Sequence, residues 1–355
     1  MSEVTEVLPR GAADVQASAP RTFLSLSRVG VTGIEKVLRV SVDGSEQLYY
    51  AELECLVDLN PRQAGVHMSR FEEVVGEAID QVVLEETFKA ETLAAHIASR
   101  VREAQQGLRS EVTIAARYPE TVRTPVTGLE TQEIYTLFGT AVASERGTRT
   151  LTGVQAQGMT ACPCAQGLVE ERARERLAER GFDAEEIDRA IDAVPVATHN
   201  QRGIGTLYIG RPEDSPVEID ARDLLHIAEH SMSSEIYGLM KRSDELAVVE
   251  KAHANPRFVE DCVREMIRRV SEAYSELAAD AFVLARQENL ETIHRHNVIA
   301  ERYGCWSEIR AELDSDEHST HHLTMREWLP APPAWFAAPA PPRSASAGRG
   351  SNPPR

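Results

Sequence analysis

Hydrophobic and polar positions alternate along several stretches of this chain, and the alternation predicts half-buried β-strands. From Tyr49 to Leu59 every second residue is apolar, while acidic residues occupy much of the opposite face. Comparable runs predict further strands, in chain order, at 28–31, 37–42, 110–117, 133–144, 148–160, 205–210, 281–288 and 298–303. The chain is therefore expected to be rich in strand.

Apolar residues at helical spacing predict the elements between these strands. Two helices are expected near 69–85 and 89–106, and a third near 220–241. Asn255 and Pro256 are residue types favoured at an N-cap and at the first helical position, and an apolar stripe follows them. Each half of the chain thus has strands, two helices and strands in the same order, which indicates an α+β fold.

The composition divides the chain into an arm, two units and a tail. Residues 1–20 are small and polar and predict a flexible arm, whereas 328–355, rich in Pro, Ala, Ser and Gly, predict a disordered tail. The two folded units are expected at 21–146 and 147–327. A stretch at 168–193, rich in Glu, Arg and Ala and interrupted by a glycine, predicts a solvated helical hairpin inserted into the second unit.

The charge and the cysteine count limit the function classes. A net charge of −18 argues against nucleic acid as a partner, because phosphate backbones would be repelled, although a few local cations can still hold an anionic substrate. Five cysteines are an odd number for a disulfide framework and favour a reducing compartment. No secretory signal and no long apolar run is visible, so a cytoplasmic protein without a membrane span is expected.

Three short runs contain residues that could carry chemistry. GMTACPCAQ holds Cys162 and Cys164, whose thiols would point the same way on a strand, where they would either pack in a core or serve a metal or a substrate. THNQRG holds His199 among several polar side chains, which favours a polar pocket. In ETIHRH, His294 and His296 would share one strand face, either as a metal or proton-relay pair or as two surface side chains.

Carboxylates that could complete a site lie on separate segments. Glu245 follows a predicted helix, and Glu260 lies in the first turn of the helix expected after Pro256, where the helix dipole stabilises negative charge. Glu291 begins the ETIHRH run. A thiol, an imidazole and a carboxylate from distant segments are typical of a catalytic zinc site, which keeps three protein ligands and one open position. Spacing alone leaves open whether these side chains converge.

Eight short runs match, in order, those of one enzyme family. They are DVQ (14–16), VGVTGI (29–34), GVHMSRF (65–71), TACPCAQ (160–166), THNQRG (198–203), SSEIYGLMKRSDE (233–245), NPRFVED (255–261) and ETIHRH (291–296). They span nearly the whole folded part, and on them the sequence resembles the type IB GTP cyclohydrolase family.

The resemblance implies a fold and an assembly. Members of this family consist of two tandem tunnelling-fold units, each of the order ββααββ with an antiparallel sheet and helices on one face, which agrees with the element order above. They form homotetramers with sites at subunit interfaces. Side chains of a neighbouring subunit are therefore expected to complete each site.

The resemblance also implies a metal site. Cys162, His199 and Glu245 match the positions that hold a divalent metal ion in the family. The expected ion is Zn²⁺ or Fe²⁺, and Mn²⁺ is a further candidate.

Other residues match positions that bind or transform the substrate. Glu260 matches a glutamate assigned to the guanine edge, where a carboxylate can accept the N1–H and the 2-amino group together. Arg202 and His67 are also expected to bind substrate. The expected catalytic positions are Cys162, Cys164, Glu291, His294 and His296.

The implied reaction is the opening of the guanine imidazole ring of GTP at C8. It releases formate and forms 7,8-dihydroneopterin triphosphate for pterin and folate synthesis. Two features resemble the archaeal, iron-dependent branch instead: the run CPCAQ in place of CPCS, and about thirty residues between the cysteines and His199 where the bacterial family has a short link. The alternative product is then 7,8-dihydroneopterin 2′,3′-cyclic phosphate. A non-catalytic purine- or pterin-binding protein of the same fold is a third candidate.

Overall fold

The first half of the chain forms two strand hairpins with two helices between them. The computed structural model describes residues 15–42, 45–81, 89–213, 215–315, 318–319 and 321–330. The elements of the first half are β1 (Leu26–Val42), β2 (Ser45–Leu59), α1 (Met68–Gln81), α2 (Ala90–Gln105), β3 (Arg109–Arg123) and β4 (Glu130–Ser144).

The second half repeats this order with additions. Its elements are β5 (Gly147–Ala161), α3 (Pro163–Glu179), α4 (Ala184–Ala193), β6 (Asn200–Arg211), α5 (Ala221–His230), β7 (Ser234–Glu235), α6 (Arg242–Ala254), α7 (Val259–Ala273), β8 (Phe282–Leu290), β9 (Val298–Cys305), α8 (Trp306–Asp314) and α9 (Met325–Trp328). Without α3, α4, β7, α6 and the two last helices, the order is again ββααββ. None of the helices among the described residues is long and apolar enough to cross a membrane.

The strands pair into one continuous antiparallel sheet. Their order is β1-β2-β3-β4-β5-β6-β8-β9, and the short β7 pairs with β5 beyond the end of the β4 ladder. β4 and β5 form a hairpin that begins at the pair Ser144 and Gly147, so the sheets of the two units are joined. The predicted α+β fold with a duplicated unit is confirmed.

The helices pack on the sheet because apolar side chains alternate along the strands. α2 lies on β3 and β4, α5 on β5 and β6, and α7 on β8 and β9. In α7 the side chains of Cys262, Met266 and Val270 are fully buried, as are Leu207 and Ile209 in β6. Each large apolar side chain buried in this way contributes about 1.5–3 kcal/mol, so the contact between helices and sheet stabilises the fold.

The region between β6 and β8 differs from the prediction. The helix expected at 220–241 ends at His230 and is followed by β7. The hydrophobic pattern did not predict α6, because its apolar residues do not gather on one side of the helix. Asn255 is the C-cap of α6, and the helix expected to begin at Pro256 begins at Val259.

The chain beyond β9 packs back onto the sheet. Trp328 is only 1% exposed, and its indole N–H donates a hydrogen bond to the carbonyl oxygen of Asp280 at 2.7 Å. Its ring packs against Phe282, and Leu329 is also buried. The first residues of the tail predicted at 328–355 therefore belong to the folded part. Residues 331–355 lie outside the described residues.

The start of α2 lies directly over Gly139 in β4. A Cβ atom on Gly139 would overlap the carbonyl carbon of Ala90 and the backbone nitrogen of Glu91. Because the obstructing atoms are backbone, no side-chain rotation can relieve the overlap. The missing side chain of Gly139 therefore sets the distance between this helix and the sheet.

Substituting Gly139 by alanine should destabilise the protein. We expect Gly139→Ala to lower the free energy of unfolding by about 1–3 kcal/mol, the usual cost of forcing extra atoms into a packed core. Urea unfolding measures this change. Gly76→Ala in α1 is the matched control, since a Cβ there meets nothing within 4 Å and alanine favours the helix. Equal stability of the two variants would contradict the close approach.

Candidate active site

The ladder between β5 and β6 brings two of the predicted residues together. Its last pair is Ala161 and Asn200. Beyond this pair, the Cys162 N–H donates to the carbonyl oxygen of His199 at 3.1 Å, and the Thr198 hydroxyl donates to the carbonyl oxygen of Cys162 at 2.8 Å. Strand pairing thus continues for one more position and holds Cys162 beside His199.

Cys162 is the N-cap of α3. Pro163 occupies the first helical position, where its fixed φ suits the helix, and the Ala165 N–H points at the Cys162 sulfur at 3.5 Å. Helix N-termini favour electron-rich and anionic groups. The prediction that both thiols share one strand face is wrong, because Pro163 turns the chain into a helix. Cys164 lies in the first turn of that helix and is exposed.

A hydrogen-bonded network holds the imidazole of His199. The Gln201 amide nitrogen lies 2.8 Å from His199 Nδ1 and 3.2 Å from Glu291 Oε2. The Thr160 hydroxyl donates to Gln201 Oε1 at 3.1 Å, which sets the orientation of the amide. The side chains of His199 and Glu291 are 14% and 6% exposed, so the network is largely shielded from water.

The direction of these hydrogen bonds determines which ring nitrogen carries the proton. Because the Gln201 amide N–H points at Nδ1, the neutral His199 ring carries its proton on Nε2 in this arrangement. Glu291 Oε2 lies 3.9 Å from Nδ1, where a small shift would let it accept a hydrogen bond from a protonated Nδ1. That exchange would free Nε2 as a ligand. Glu291 is thus placed as carboxylates are behind metal-bound histidines.

A cavity of about 790 Å³ contains two more of the predicted residues, and its lining includes the sequence neighbours of Thr160 and Gln201, namely Met159 and Arg202. Arg202 and Glu245 line it, and the Arg202 guanidinium donates to Gln157 Oε1 at 3.0 Å. Arg202 follows Gln201 in β6, so its side chain lies on the opposite face of the strand from the His199 network. Glu245 lies in the first turn of α6 and is exposed. The predicted residues therefore form two neighbouring groups.

Tyr135 and Glu229 line this cavity and a second one of about 310 Å³. The Tyr135 hydroxyl donates to Glu229 Oε1 at 2.7 Å. Burial raises the pKa of Glu229 to about 7, although the hydrogen bond from Tyr135 opposes the rise. In the second cavity Glu235 forms an ion pair with Lys251 at 2.5 Å, and its other carboxylate oxygen lies 3.1 Å from His230 Nε2. A carboxyl group that titrates near neutral pH therefore lies in the wall between the two cavities.

Two other predicted residues lie elsewhere. Glu260 is exposed in the first turn of α7 and lines a cavity of about 450 Å³ between α7, β9 and α8. His67 precedes α1 in the first unit, and the Gln105 side chain bonds its backbone N–H at 3.1 Å and its carbonyl oxygen at 2.8 Å. Neither Glu260 nor His67 lines the 790 Å³ cavity.

The ETIHRH run forms the connection between β8 and β9. The last pair of that ladder is Asn289 with Val298, so the residues between them have no cross-strand partner there. The prediction that His294 and His296 share a strand face is therefore wrong. Their rings stack with centroids 5.2 Å apart, and both side chains are exposed. The connection brings Glu291 to the imidazole network and leaves the two histidines at the surface.

The donors at the end of the β5–β6 ladder suit a metal that binds sulfur and nitrogen. The Cys162 thiol and the His199 imidazole are ligand types of zinc and iron, and Glu291 stands behind the imidazole. In the part of the chain that the structure describes, no three His, Cys, Asp or Glu side chains form a ready-made metal cluster. Backbone pairing places the two residues that carry these donors side by side, and no third donor is grouped with them among the described residues.

Sequence reasoning missed the residues that hold this arrangement. Gln201 belongs to the THNQRG run, whose concentration of polar side chains was the signal that could have identified it. Thr160 and Glu229 gave no such signal, because a threonine in a strand and a glutamate on an amphipathic helix have ordinary patterns. Their roles depend on burial, which only the folded chain reveals.

The fold defines a class before any close relative is considered. The structure is similar to that of a hyper-thermostable AgUricase mutant, with a TM-score of 0.50 over 86% of this chain and 96% of that chain, at 8% identity. Uricase is a tandem tunnelling-fold protein, and at this identity the likeness shows the fold alone. The protein is thus of the tandem tunnelling-fold class, with a thiol and an imidazole at the end of a central ladder.

The sequence then identifies the family. The chain belongs to the Type I GTP cyclohydrolase folE2 family, whose model matches residues 12–300. It is similar to GTP cyclohydrolase MptA of Methanococcus maripaludis strain C5, at 42% identity over 84% of this chain and 97% of the relative. Identity is 40% to the MptA of Haloferax volcanii, covering 85% of this chain and 98% of the relative, and 39% to that of Methanocaldococcus jannaschii, covering 86% and 98%. The resemblance predicted from the motifs is confirmed, and the protein is an enzyme, a GTP cyclohydrolase.

The raised pKa of Glu229 predicts a pH-dependent stability. Its folded-state pKa of about 7 is above the ordinary value of 4.5, so its contribution to stability is full below pH 4.5 and is lost as the pH rises through 7. Relative to Glu229→Gln, the unmodified protein should lose roughly 3 kcal/mol of unfolding free energy across this range. Urea unfolding of both proteins at several pH values measures the difference.

Tyr135→Phe tests the hydrogen bond that opposes this rise in pKa. The Tyr135 hydrogen bond lowers the pKa of Glu229, so its removal should move the titration to higher pH. A stability difference between Glu229→Gln and the unmodified protein that does not change with pH would contradict the assignment.

Proposed function

We propose that this GTP cyclohydrolase opens the guanine ring of GTP at C8 in a site that begins at the end of the β5–β6 ladder. The observation that carries the proposal is the contact between Cys162 and His199, with Arg202 and Glu245 lining the neighbouring cavity. A volume of about 790 Å³ lies within the range of roughly 300–1,000 Å³ usual for small-molecule sites. The same strands would thus present the reacting group and the substrate pocket.

A divalent metal ion held by Cys162, His199 and Glu245 is part of the proposal. Guanine C8 is a poor electrophile, and a bound Zn²⁺ or Fe²⁺, or alternatively Mn²⁺, supplies a Lewis acid that activates water near neutral pH. The sulfur at a helix N-terminus and the imidazole backed by Glu291 support two of these ligands. Glu245 lines the adjacent cavity and would have to approach them.

Glu291 and the two histidines on its loop are proposed to orient the site and to transfer protons. Glu291 would hold the His199 ring by accepting from Nδ1. His294 and His296 are exposed imidazoles, a side-chain type that serves as a general acid, and they are proposed to protonate the guanine ring nitrogen as its bond to C8 breaks. Cys164 is proposed to take part because it lies exposed in the same helical turn as the Cys162 cap.

The remaining substrate contacts are proposed to involve a second copy of the chain. Arg202, whose guanidinium lines the cavity, is suited to phosphate. Glu260 is proposed to accept the guanine N1–H and 2-amino group, yet it and His67 lie away from this cavity. The cavity of Glu260 adjoins β9, the last strand in the order of the described sheet, and an edge strand can pair with another chain. A homotetramer with shared sites would bring these residues to bound GTP.

The proposed product is 7,8-dihydroneopterin 2′,3′-cyclic phosphate rather than the triphosphate that the motifs placed first. The similarity to archaeal MptA relatives over nearly their whole length supports this choice. The CPCAQ run and the α3–α4 hairpin inserted before His199 point in the same direction. Either product would serve pterin synthesis.

Removal of a proposed ligand should remove both metal and turnover. Cys162→Ser, His199→Ala and Glu245→Gln are each expected to lower the amount of bound metal and to slow formate release by at least about 100-fold. Mutation of residues that only orient a metal ligand already costs up to about 100-fold, so loss of a ligand itself should cost at least as much. Elemental analysis and a formate assay measure the two effects. Glu250→Gln, an exposed glutamate on the same helix as Glu245, is the matched control. Full metal content and turnover in Glu245→Gln would remove Glu245 from the site.

The fate of the phosphates distinguishes the two products. Metal-loaded protein incubated anaerobically with GTP should release one formate per GTP, and ³¹P NMR should show a cyclic phosphodiester while the other two phosphates leave. A product that retains three linked phosphates would restore the triphosphate assignment. Release of no formate with Zn²⁺, Fe²⁺ or Mn²⁺ would overturn the proposed ring opening.

A further inference from the structure

Gln166 connects three segments that carry the proposed metal ligands. It lies in the first turn of α3, and its backbone N–H donates to the carbonyl oxygen of Cys162 at 3.2 Å. Its side-chain amide nitrogen donates to the carbonyl oxygen of Val196 at 3.1 Å and to that of His253 at 2.8 Å. One half-buried amide thus bonds two segments far from it in the sequence.

Each of the two acceptors lies close to a proposed ligand. Val196 precedes His199 by three residues, in the link that leads into β6. His253 lies in the last turn of α6, the helix whose first turn holds Glu245. Its carbonyl oxygen is one of those that a helix C-terminus leaves without an internal partner, so the amide also completes the end of α6.

The attachment of α3 to the rest of the protein makes this contact important. Among the described residues, α3 contributes no buried side chain, so apolar packing does not fix its direction. Its first turn nevertheless determines where the sulfur of Cys162 points, because Cys162 is the N-cap. Hydrogen bonds at the base of the helix are therefore the main means of orienting it.

We propose that Gln166 is a positioning residue that fixes the direction of the Cys162 cap and ties it to the segments that carry His199 and Glu245, so that the proposed cation site can form. This inference rests on the proposed function. It assigns to Gln166 no contact with the metal or with GTP. A positioning role predicts that loss of the amide weakens metal binding more than it weakens the fold.

Cobalt binding to the full-length protein tests the role of Gln166. Co²⁺ is the probe, because a cobalt–thiolate bond gives a charge-transfer absorption, and loss of that band in Cys162→Ser but not in Cys164→Ser assigns it to Cys162. Gln166→Met keeps the length of the side chain and removes both donors. We expect its Co²⁺ dissociation constant to rise by about 10–100-fold, as for residues that orient metal ligands.

The control variant removes a comparable hydrogen bond elsewhere. Gln155→Met in β5 loses an amide bond to the Thr206 hydroxyl, which connects two strands away from the proposed ligands. Thermal unfolding of the metal-free proteins should give similar midpoints for both variants, while only Gln166→Met loses cobalt affinity. Gln166→Glu, which keeps a polar side chain but cannot donate when ionised, should behave like Gln166→Met and replaces it if the methionine variant does not fold.

The outcomes separate this inference from the proposed function. Unchanged cobalt affinity and thiolate absorption in Gln166→Met or Gln166→Glu would overturn the positioning role while leaving the metal site intact. A loss of affinity matched by Gln155→Met would likewise overturn it, since the effect would then be one of general stability. If the unmodified protein binds no Co²⁺ through Cys162, the proposed metal site itself fails, and the role of Gln166 fails with it.

Discussion

The antiparallel pairing of β5 with β6 is the constraint on which the rest of the site depends. Its register, which ends at Ala161 and Asn200, decides that Cys162 meets His199 and that Arg202 lies on the other face. A slip of one residue would exchange the faces, because side chains alternate along a strand. The apolar core under β5 and β6 prevents that slip, so the energy that stabilises the fold also sets the geometry of the site.

Polar groups are concentrated at one end of this apolar core, and each depends on a partner there. Gln201 illustrates this dependence. Its side-chain amide forms hydrogen bonds with Thr160, His199 and Glu291, and the residue is only 5% exposed. An amide buried without these partners would cost about 1–3 kcal/mol. The network is therefore stable only as a whole. The network in turn keeps the His199 imidazole in one orientation.

The sequence predicted the parts of the fold that have strong periodicity and missed those that depend on local geometry. The duplicated ββααββ order followed from alternation such as that of Tyr49–Leu59. The site motifs were found as well, and Cys162 and His199 do meet. Their secondary structure was not predicted, because Pro163 starts a helix within a strand-like run and the turn after Leu290 has no cross-strand partners. The separation of Glu245 and Glu260 from these two residues depends on tertiary packing, which no spacing encodes.

The inserted α3–α4 hairpin affects the orientation of the Cys162 sulfur, although the hairpin itself is largely exposed. A thiol at the bare end of a strand would be free to rotate among several rotamers. Here the chain continues from Cys162 into α3, so the N–H of Ala165 points at the sulfur and restricts its direction. A relative with a short link between the same two strands must orient its thiol by other contacts. The length of the insertion is therefore not neutral: it couples the orientation of the Cys162 sulfur to the hydrogen bonds that hold the base of a solvated helix.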